Sequence, residues 1–557
     1  SSHVKGLSAR APQYNQDGTL VVVTKPSLKE EAYFGDSYSL ELNAAYTQTF
    51  AEKHTIDAKA VFTVSENNGS YFWASRKDYL SATVDQLFAG SSIGMQNSGN
   101  SDEGGRMGLV GRLKYDFDSR YYIEGSFRYD GSDNFVPGHR WGFFPSVALA
   151  WDITEEPFFK NLNLKNVNLL KLRGSYGQTG TESGVNRFGY LSTYSLAENA
   201  ICIGGNLQSG FNEGALVSPE LLSWYTRNSL NYGIDVAFFN HRLKGSADYF
   251  FYVTKGGLVS PADRYVVPLG TALPQIKSEN EHRREGFEAS LRWDDKIGSD
   301  FYYEVGTNMT YYNNLYVKNQ GEALSDLKNP YKRSTHQTDY YGIMYMDNGL
   351  YQTPEQVLGV PRRLQSSATK LGDIAYEDIN GDGKVDGEDQ VRWGMPSAPH
   401  FTYGFDFVLG YKGFTLSGLL YGTGKRNMEF GVTTKKNEAI WVLNDYQLDY
   451  WREDNRDATF PRISLEALPN GSNNQAASTF WVKNASFLRL KNLTLEYDFK
   501  YKLLRNVKWL STCRANITGA NLFTISNVMD YFDPETTSTN GGYPVQRVYS
   551  LGVTIGF

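Results

Sequence analysis

Long stretches of this chain alternate with a period of two, apolar on one side and mostly polar on the other, which is how a β-strand sorts its faces. From Met107 the odd positions read Met107, Leu109, Gly111, Leu113, Tyr115 and Phe117, and the even ones Gly108, Val110, Arg112, Lys114 and Asp116. After residues 118–120 the pattern resumes as Tyr121, Ile123, Gly125, Phe127 and Tyr129 against Tyr122, Glu124, Ser126, Arg128 and Asp130. The spacing predicts a hairpin with a tight turn. The same device recurs where Tyr232, Ile234, Val236 and Phe238 lead through 240–242 into Leu243, Gly245, Ala247, Tyr249 and Phe251. Phe287, Ala289, Leu291 and Trp293 return as Phe301, Tyr303, Val305, Thr307, Met309 and Tyr311, and the run Phe401 to Tyr411 turns at Lys412 and Gly413. These strands reach about 10 residues or more, against about 5–6 in globular proteins and about 9–11 for a tilted strand crossing hydrocarbon.

The connections are unequal at the two ends. Short turns at 118–120, 240–242 and 412–413 alternate with polar excursions over 66–105, 178–227, 313–399 and 423–479. Short turns on one side and long loops on the other are the pattern of an outer-membrane barrel, and the Tyr, Phe and Trp near strand ends fit its aromatic girdles. A soluble sandwich also alternates, but its buried face is filled mainly by Val, Ile and Leu and its turns are short at both ends. The expected fold is therefore all-β, a transmembrane antiparallel β-barrel portion spanning 1–557 with long extracellular loops and fourteen to sixteen strands. A final amphipathic strand sets Tyr549, Leu551, Val553, Ile555 and Phe557 on one face.

Composition narrows the function. In 557 residues there are 39 Tyr, 32 Phe, 10 Trp and 54 Gly, a mix suited to a surface that is wet on one side and oily on the other. No uninterrupted apolar run approaches the roughly 20 residues of a membrane-spanning helix. The net charge of −6 gives no footprint for nucleic acid. Cys202 and Cys513 are too few for a disulfide framework, and they are expected to be free thiols or one pair. Ser1, Ser2, His3 and Val4 have neither the basic head nor the apolar core of a signal peptide, so a removed leader or a fragment of a longer chain is expected.

One motif carries candidate chemistry. Within a loop at 372–395, residues 378–389 place Asp378, Asn380 and Asp382 at loop positions 1, 3 and 5, Gly383 at 6, the Lys384 carbonyl at 7 and Asp389 at 12. That spacing suits Ca2+, which takes about 6–8 oxygen ligands, and the aspartate at position 12 makes it dockerin-like rather than a strict EF-hand. The competing reading is an acidic turn tied by its own side-chain hydrogen bonds. No catalytic constellation emerges, since the seven histidines are scattered and neither HExxH nor GxSxG occurs. No enzyme activity is expected.

Five phrases in order carry a resemblance: Gly372-Asp373-Ile374-Ala375-Tyr376; Tyr450-Trp451-Arg452-Glu453-Asp454-Asn455 before Pro461-Arg462; Phe487-Leu488-Arg489-Leu490-Lys491-Asn492-Leu493-Thr494-Leu495; Gly519-Ala520-Asn521-Leu522-Phe523; and Asp533-Pro534-Glu535 before Tyr543-Pro544. From about Gly105 onward the chain resembles the C-terminal two-thirds or so of the barrel of a SusC-type TonB-dependent transporter of the Bacteroidetes. The resemblance implies an outer-membrane importer of oligosaccharides, with a SusD-like surface lipoprotein as partner and TonB acting through a plug. It further implies a 22-stranded barrel and a dimer of SusCD pairs. The plug and the remaining barrel strands are not visible here, and another segment or chain is expected to supply them. Peptide import by the same architecture, and a soluble or surface-anchored carbohydrate-binding β-protein, are the rival readings.

Loop aromatics are the candidate sugar contacts, because flat rings offer broad area with a polar handle on Tyr and Trp. They are Trp73, Tyr340, Tyr341, Tyr345, Tyr351, Trp393, Trp441 and Trp451, with Asp347, Asn348 and Arg452 as polar partners. For each of them, loop packing or membrane girdle is the alternative.

Overall fold

The computed structural model describes residues 2–8, 13–14, 20–22, 26–81, 83–214, 222–259, 276–359, 362–363, 369–429, 448–463, 473–528, 532–536 and 545–557. Among these, one sheet contains 18 strands. Two of them, Gln337–Thr338 and Thr524–Ser526, are short extensions beside longer strands. The other sixteen reach the upper end of the expected number.

The pairing is antiparallel and consecutive. Ser2–Ser8 pairs with Ser27–Phe50, which pairs with His54–Lys77, then Ser91–Phe117, Tyr121–Ser132, Trp141–Asp152 and Val167–Thr181. The run continues through Tyr225–Phe238, Leu243–Lys255, Glu281–Ile297 and Phe301–Lys318 to Phe401–Tyr411. It ends with Phe414–Gly424, Phe487–Asp498, Thr512–Ala520 and Val548–Gly556. Neighbours in sequence become neighbours in space because each short turn reverses the chain into the adjacent position. The turns 118–120 and 412–413 do this through positive φ at Asp118, Ser119, Lys412 and Gly413.

Register carries the alternation across strands. Ile56, Tyr115, Ile123, Leu149, Gly174, Tyr232, Tyr249, Phe287, Tyr311 and Phe401 are successive cross-strand partners in one row. Leu149, Tyr232, Tyr249 and Phe287 are exposed, as side chains facing hydrocarbon must be. The opposite face carries arginines that each bridge two acids from other strands. Arg173 donates to Asp235 at 2.7 and 2.9 Å and to Asp248 at 3.0 and 3.0 Å. Arg112 reaches Glu124 at 3.1 Å and Asp57 at 3.4 Å, and Arg292 contacts Asp406 at 2.9 Å and also Glu304. A row of grease outside and ionic bridges inside defines a barrel wall, not the two-layer core of a sandwich.

The short-turn end bears an aromatic belt. Phe117 stacks on Tyr121 and Trp509 on Phe557 at 5.8 Å, while Phe239 packs tilted against Trp293 at 5.7 Å and Phe414 against Tyr497 at 4.5 Å. Tyr121 Oη and Trp151 Nε1 both donate to the Glu156 carboxylate, fixing polar tips at the water line.

The segment 66–105, expected as a polar excursion, is largely strand. His54–Lys77 and Ser91–Phe117 stay in register up to Ser75 opposite Gln96; after a register shift Lys77 pairs with Ser91, and 78–90 joins the two strands. Together with Ser27–Phe50 they run 24, 24 and 27 residues. About 9–11 residues suffice for the hydrocarbon, so more than half of each strand stands in water, where polar residues predominate and the strict apolar alternation breaks down, with Phe34, Phe72, Ile93 and Met95 left as scattered exposed apolar groups. The sheet continues although the pattern that predicted it stops.

Substituting Leu149→Arg at mid-wall should destabilise the folded barrel by about 2–4 kcal/mol. An arginine at the neighbouring inward position Ala148 should cost much less. Urea titration in lipid vesicles, read by the heat-modifiable gel shift, compares the two.

Candidate functional site

The long-loop end is a built structure. Residues of 319–400, 425–486 and 521–536 pack around one core of Tyr345, Ile374, Tyr376, Val385, Met428, Phe460, Trp481, Ala485 and Val528. Two ionic clamps fix this module, and both are made by the recognised phrases. In the first, Asp373, nearly fully buried, accepts Lys370 N at 2.9 Å, Asn474 Nδ2 at 2.9 Å and Arg462 Nη2 at 3.3 Å, with Arg462 Nε in ionic contact at 2.6 Å. Arg462 N also bonds the Gly372 carbonyl at 2.9 Å. Gly372 has φ +79°, and the Trp451 ring lies so close that a Cβ there would sit 2.3 Å from it.

In the second clamp, Arg489 projects from the strand Phe487–Asp498 and is 2% exposed. It grips Asp533 through two 2.8 Å bonds and Glu535 at 2.5 Å, while Lys491 also contacts Glu535. The loop after Thr524–Ser526 is thereby tied to the barrel wall.

The sequence-predicted contact residues fall into distinct settings. Tyr345, Tyr351 and Trp451 are buried; Trp451 Nε1 donates to Gln352 at 3.0 Å, and Tyr345 packs on Tyr376 at 5.4 Å. Their rings hold the module together. Tyr340, Tyr341 and Trp393 come together half-buried: Arg392 lies 4.1 Å over the Tyr340 ring, and Tyr341 N donates to the Trp393 carbonyl at 3.1 Å. Burial raises the Tyr341 phenol above its ordinary range, and its oxygen accepts Glu429 N at 3.0 Å. Asp347 is engaged by Thr479, whereas Asn348 is exposed. Arg452 is exposed too, 5.1 Å from the Tyr450 ring and 3.4 Å from Asp454. Trp73 stands on the tall strand His54–Lys77 with Lys29 4.7 Å over its ring. Trp441 lies outside the described residues.

The Asp-rich loop is folded by its own oxygens. Asp378 accepts Gly381 N at 2.7 Å, Asp382 N at 3.2 Å and Gly383 N at 2.8 Å. Asp389, fully buried, accepts Ile379 N at 2.9 Å, Asn380 N at 3.2 Å and Asp386 N at 2.7 Å. Asn380 and Asp382 each accept the N–H two residues on, that of Asp382 and of Lys384. Among the described residues no three His, Cys, Asp or Glu side chains converge as they would around a metal ion.

A second surface lies on the inner wall and left no sequence signal. The strands Trp141–Asp152 and Val167–Thr181 pair only between Ser146–Asp152 and Lys171–Gly177, and above that point they part. Phe144 fills the fork against Trp224, with ring centroids 5.5 Å apart, and Trp224 Nε1 donates to the Arg140 carbonyl at 2.9 Å. Gly142 and Gly180 make the room, since a Cβ on either would sit 2.3 or 2.0 Å from the Phe144 ring. Beside the fork is a cleft of about 410 Å³ lined by Ser65, Arg106, Arg128, Asp130, Phe144 and Trp224.

The family described as TonB dependent receptor-like, beta-barrel, matches residues 5–522. The chain belongs to that family. The match begins well before Gly105, because the tall N-terminal strands are also barrel wall. TonB-dependent receptor SusC of Bacteroides thetaiotaomicron is 27% identical over 465 residues, covering 80% of this chain and 43% of that protein. TonB-dependent receptor P3 of Formosa agariphila is 26% identical over 521 residues, covering 88% and 49%. The RagAB peptide importer in its open-open state superposes with a TM-score of 0.78 at 21% identity, over 100% of this chain and 58% of that one, which establishes the shared fold. The chain spans about half the length of the curated relatives it matches. Fold and family place it in the bacterial outer membrane, and this sets aside the soluble carbohydrate-binding reading.

Replacing Arg489 by Met leaves Asp533 buried and unpaired, which should loosen the module by about 3–5 kcal/mol. Limited proteolysis should then cut within 521–547 while the barrel keeps its gel shift. A pH effect follows from Asp449, whose carboxyl is held below its ordinary 3.8 by Asn455 and Thr459. A depressed pKa contributes stability above the unfolded value that is lost as pH falls through the folded one. The 449–460 turn should therefore hold at pH 5 and open below about 3.8, with Trp451 fluorescence shifting red; the Asp449→Asn variant should show the red-shifted emission already at pH 7.

Proposed function

We propose that this chain forms wall and mouth of a TonB-dependent importer that takes up oligosaccharides. A SusD-like surface lipoprotein would cover the long-loop end, and TonB would act through a plug inside the polar lumen. The observation that carries the reading is the clamped loop module standing over a wall whose inner face is charged and whose outer face is apolar. Such a module is a fixed binding chamber, and such a wall is a conduit through lipid. The proposed sugar contacts are the half-buried Tyr340, Tyr341 and Trp393 beside Arg392, with the exposed Asn348 and Arg452.

The remaining strands and the plug are proposed to come from another segment of the same protein or a second chain. Among the described residues, Val548–Gly556 is paired on one side only, and Ser27–Phe50 is paired on its outer side only over Ser27 to Tyr33. Open strand edges in lipid cost several kcal/mol for each unsatisfied backbone group. A dimer of such transporter–lipoprotein pairs fits the same family pattern.

Peptide import is the second reading. It is favoured by the backbone likeness to RagAB and by the cleft at the fork, which offers Arg106, Arg128 and Asp130 beside an aromatic pair, a setting for charged termini and side chains. The complete complex incubated with an oligosaccharide pool and a peptide pool separates the two. Retention of oligosaccharide is expected; retention of peptide alone would overturn the sugar assignment.

Calcium is proposed as a structural ion for the loop 378–389. Its support is the ligand spacing together with backbone N–H bonds that already curl the loop around Asp378 and Asp389. Calorimetry with calcium should show saturable binding that Asp378→Asn abolishes, and a flat titration would leave a hydrogen-bonded turn.

A further inference from the structure

The short-turn end carries cations around its rim, and most of them face a carboxylate. Arg120 contacts Asp118 at 2.9 Å, Lys160 contacts Glu155 at 2.6 Å and Arg242 contacts Asp295 at 2.8 Å. Lys53, Lys244 and Lys412 lie 3.9, 3.6 and 3.9 Å from Asp118, Asp294 and Asp300. Lys165 and Lys296 form no ion pair among the described residues.

The turn 499–511 differs. It holds Lys500, Lys502, Arg505 and Lys508 with no acid among them, in a chain whose net charge is −6. Lys500 is used internally, its Nζ donating to the Val507 carbonyl at 2.9 Å. The flanking acids Glu496 and Asp498 are turned to Arg514, at 3.6 and 3.8 Å. Lys502, Arg505 and Lys508 are exposed, and none forms an ion pair among the described residues.

Apolar groups surround these charges on the lipid side. Leu503 and Trp509 are exposed, 68% and 67%, while Leu510 is buried as the anchor of the turn. The Trp509 ring lies parallel to that of Phe557, interplanar angle 12°. Phe557 continues the outward face of Leu551, Val553 and Ile555, so Trp509 sits at the lower rim of the hydrocarbon. Tyr501 packs at Gly413 of the neighbouring turn, which holds the patch against the wall.

We propose that the turn 499–511 binds the headgroups of anionic phospholipids in the periplasmic leaflet, with Lys502, Arg505 and Lys508 on the phosphates and Leu503 and Trp509 in the acyl boundary. Three unmatched cations beside an interfacial tryptophan complement a negatively charged lipid surface, and each Lys or Arg near such a surface is worth about fivefold in binding. The proposal rests on the membrane placement alone, so failure of the cargo experiment leaves it standing.

The test uses the full-length transporter in nanodiscs of phosphatidylcholine alone or mixed with phosphatidylglycerol, with retained lipid read by native mass spectrometry. Wild type is expected to retain phosphatidylglycerol over phosphatidylcholine, and this preference should fall as salt rises. The variant K502Q/R505Q/K508Q, its fold verified by gel shift, should lose more than tenfold of that retention, whereas K160Q at a matched turn should lose none. If the triple variant fails to fold, the salt titration of wild type decides. Equal retention of the two lipids by wild type, a salt-independent preference, or unchanged retention by the folded triple variant would overturn the proposal. So would capture of a soluble periplasmic domain through this patch without any lipid preference.

Discussion

Hydrocarbon offers no partner for a peptide N–H or C=O, so each such group of the wall must be bonded within the protein. From this constraint the rest of the architecture follows. Antiparallel neighbours joined by two- to four-residue reversals satisfy it with the least chain, as at 118–120 and 412–413. The same geometry forces side chains to alternate, so one face must be apolar and the other is left to water. Charges on the wet face then have neighbours only across strands, and Arg173, Arg112 and Arg292 each satisfy two carboxylates there. They stiffen the wall sideways, where the hydrogen bonds of the ladder act in parallel.

Above the membrane the constraint lifts, and a different rule takes over. Loops in water need not form a lattice, so their order here depends on a small core and on buried ion pairs. Asp373 with Arg462, and Arg489 with Asp533 and Glu535, are ion pairs with at least one deeply buried member, and Asn474 and Thr524 add further hydrogen bonds to Asp373 and Arg489. Buried pairs of this kind add little net stability over apolar packing, but they fix which segment meets which. Three loops far apart in the chain are thereby held in one arrangement over the mouth.

This division explains what the sequence made legible. The hairpins between Met107 and Tyr129, or between Phe401 and Leu416, could be read because lipid on one side and water on the other imprint a period of two. The tall strands between Glu66 and Gly105 could not, because water on both sides removes that imprint while the backbone pairing continues. Individual phrases such as Asp533-Pro534-Glu535 were legible as words, yet their partner Arg489 lies 44 residues away and only the fold joins them. Among the candidate contacts, Tyr345, Tyr351 and Trp451 turned inward because a loop module of this size needs large rings for its own core, and composition does not distinguish a ring that packs from one that binds. The fork at Phe144 and Trp224 left no trace, since it is an interruption of pairing between otherwise regular strands.

The unequal height of the wall has one further consequence. The strands from Ser27 to Phe117 rise far beyond the bilayer as a parapet laddered to one another, whereas those near Phe401 and Thr512 stop after 11 and 9 residues. The packed loops rise from those short strands, so height on one flank is supplied by backbone ladder and on the other by side-chain packing. A deletion of equal length would thus cut a ladder rung on one flank and dissolve a core on the other.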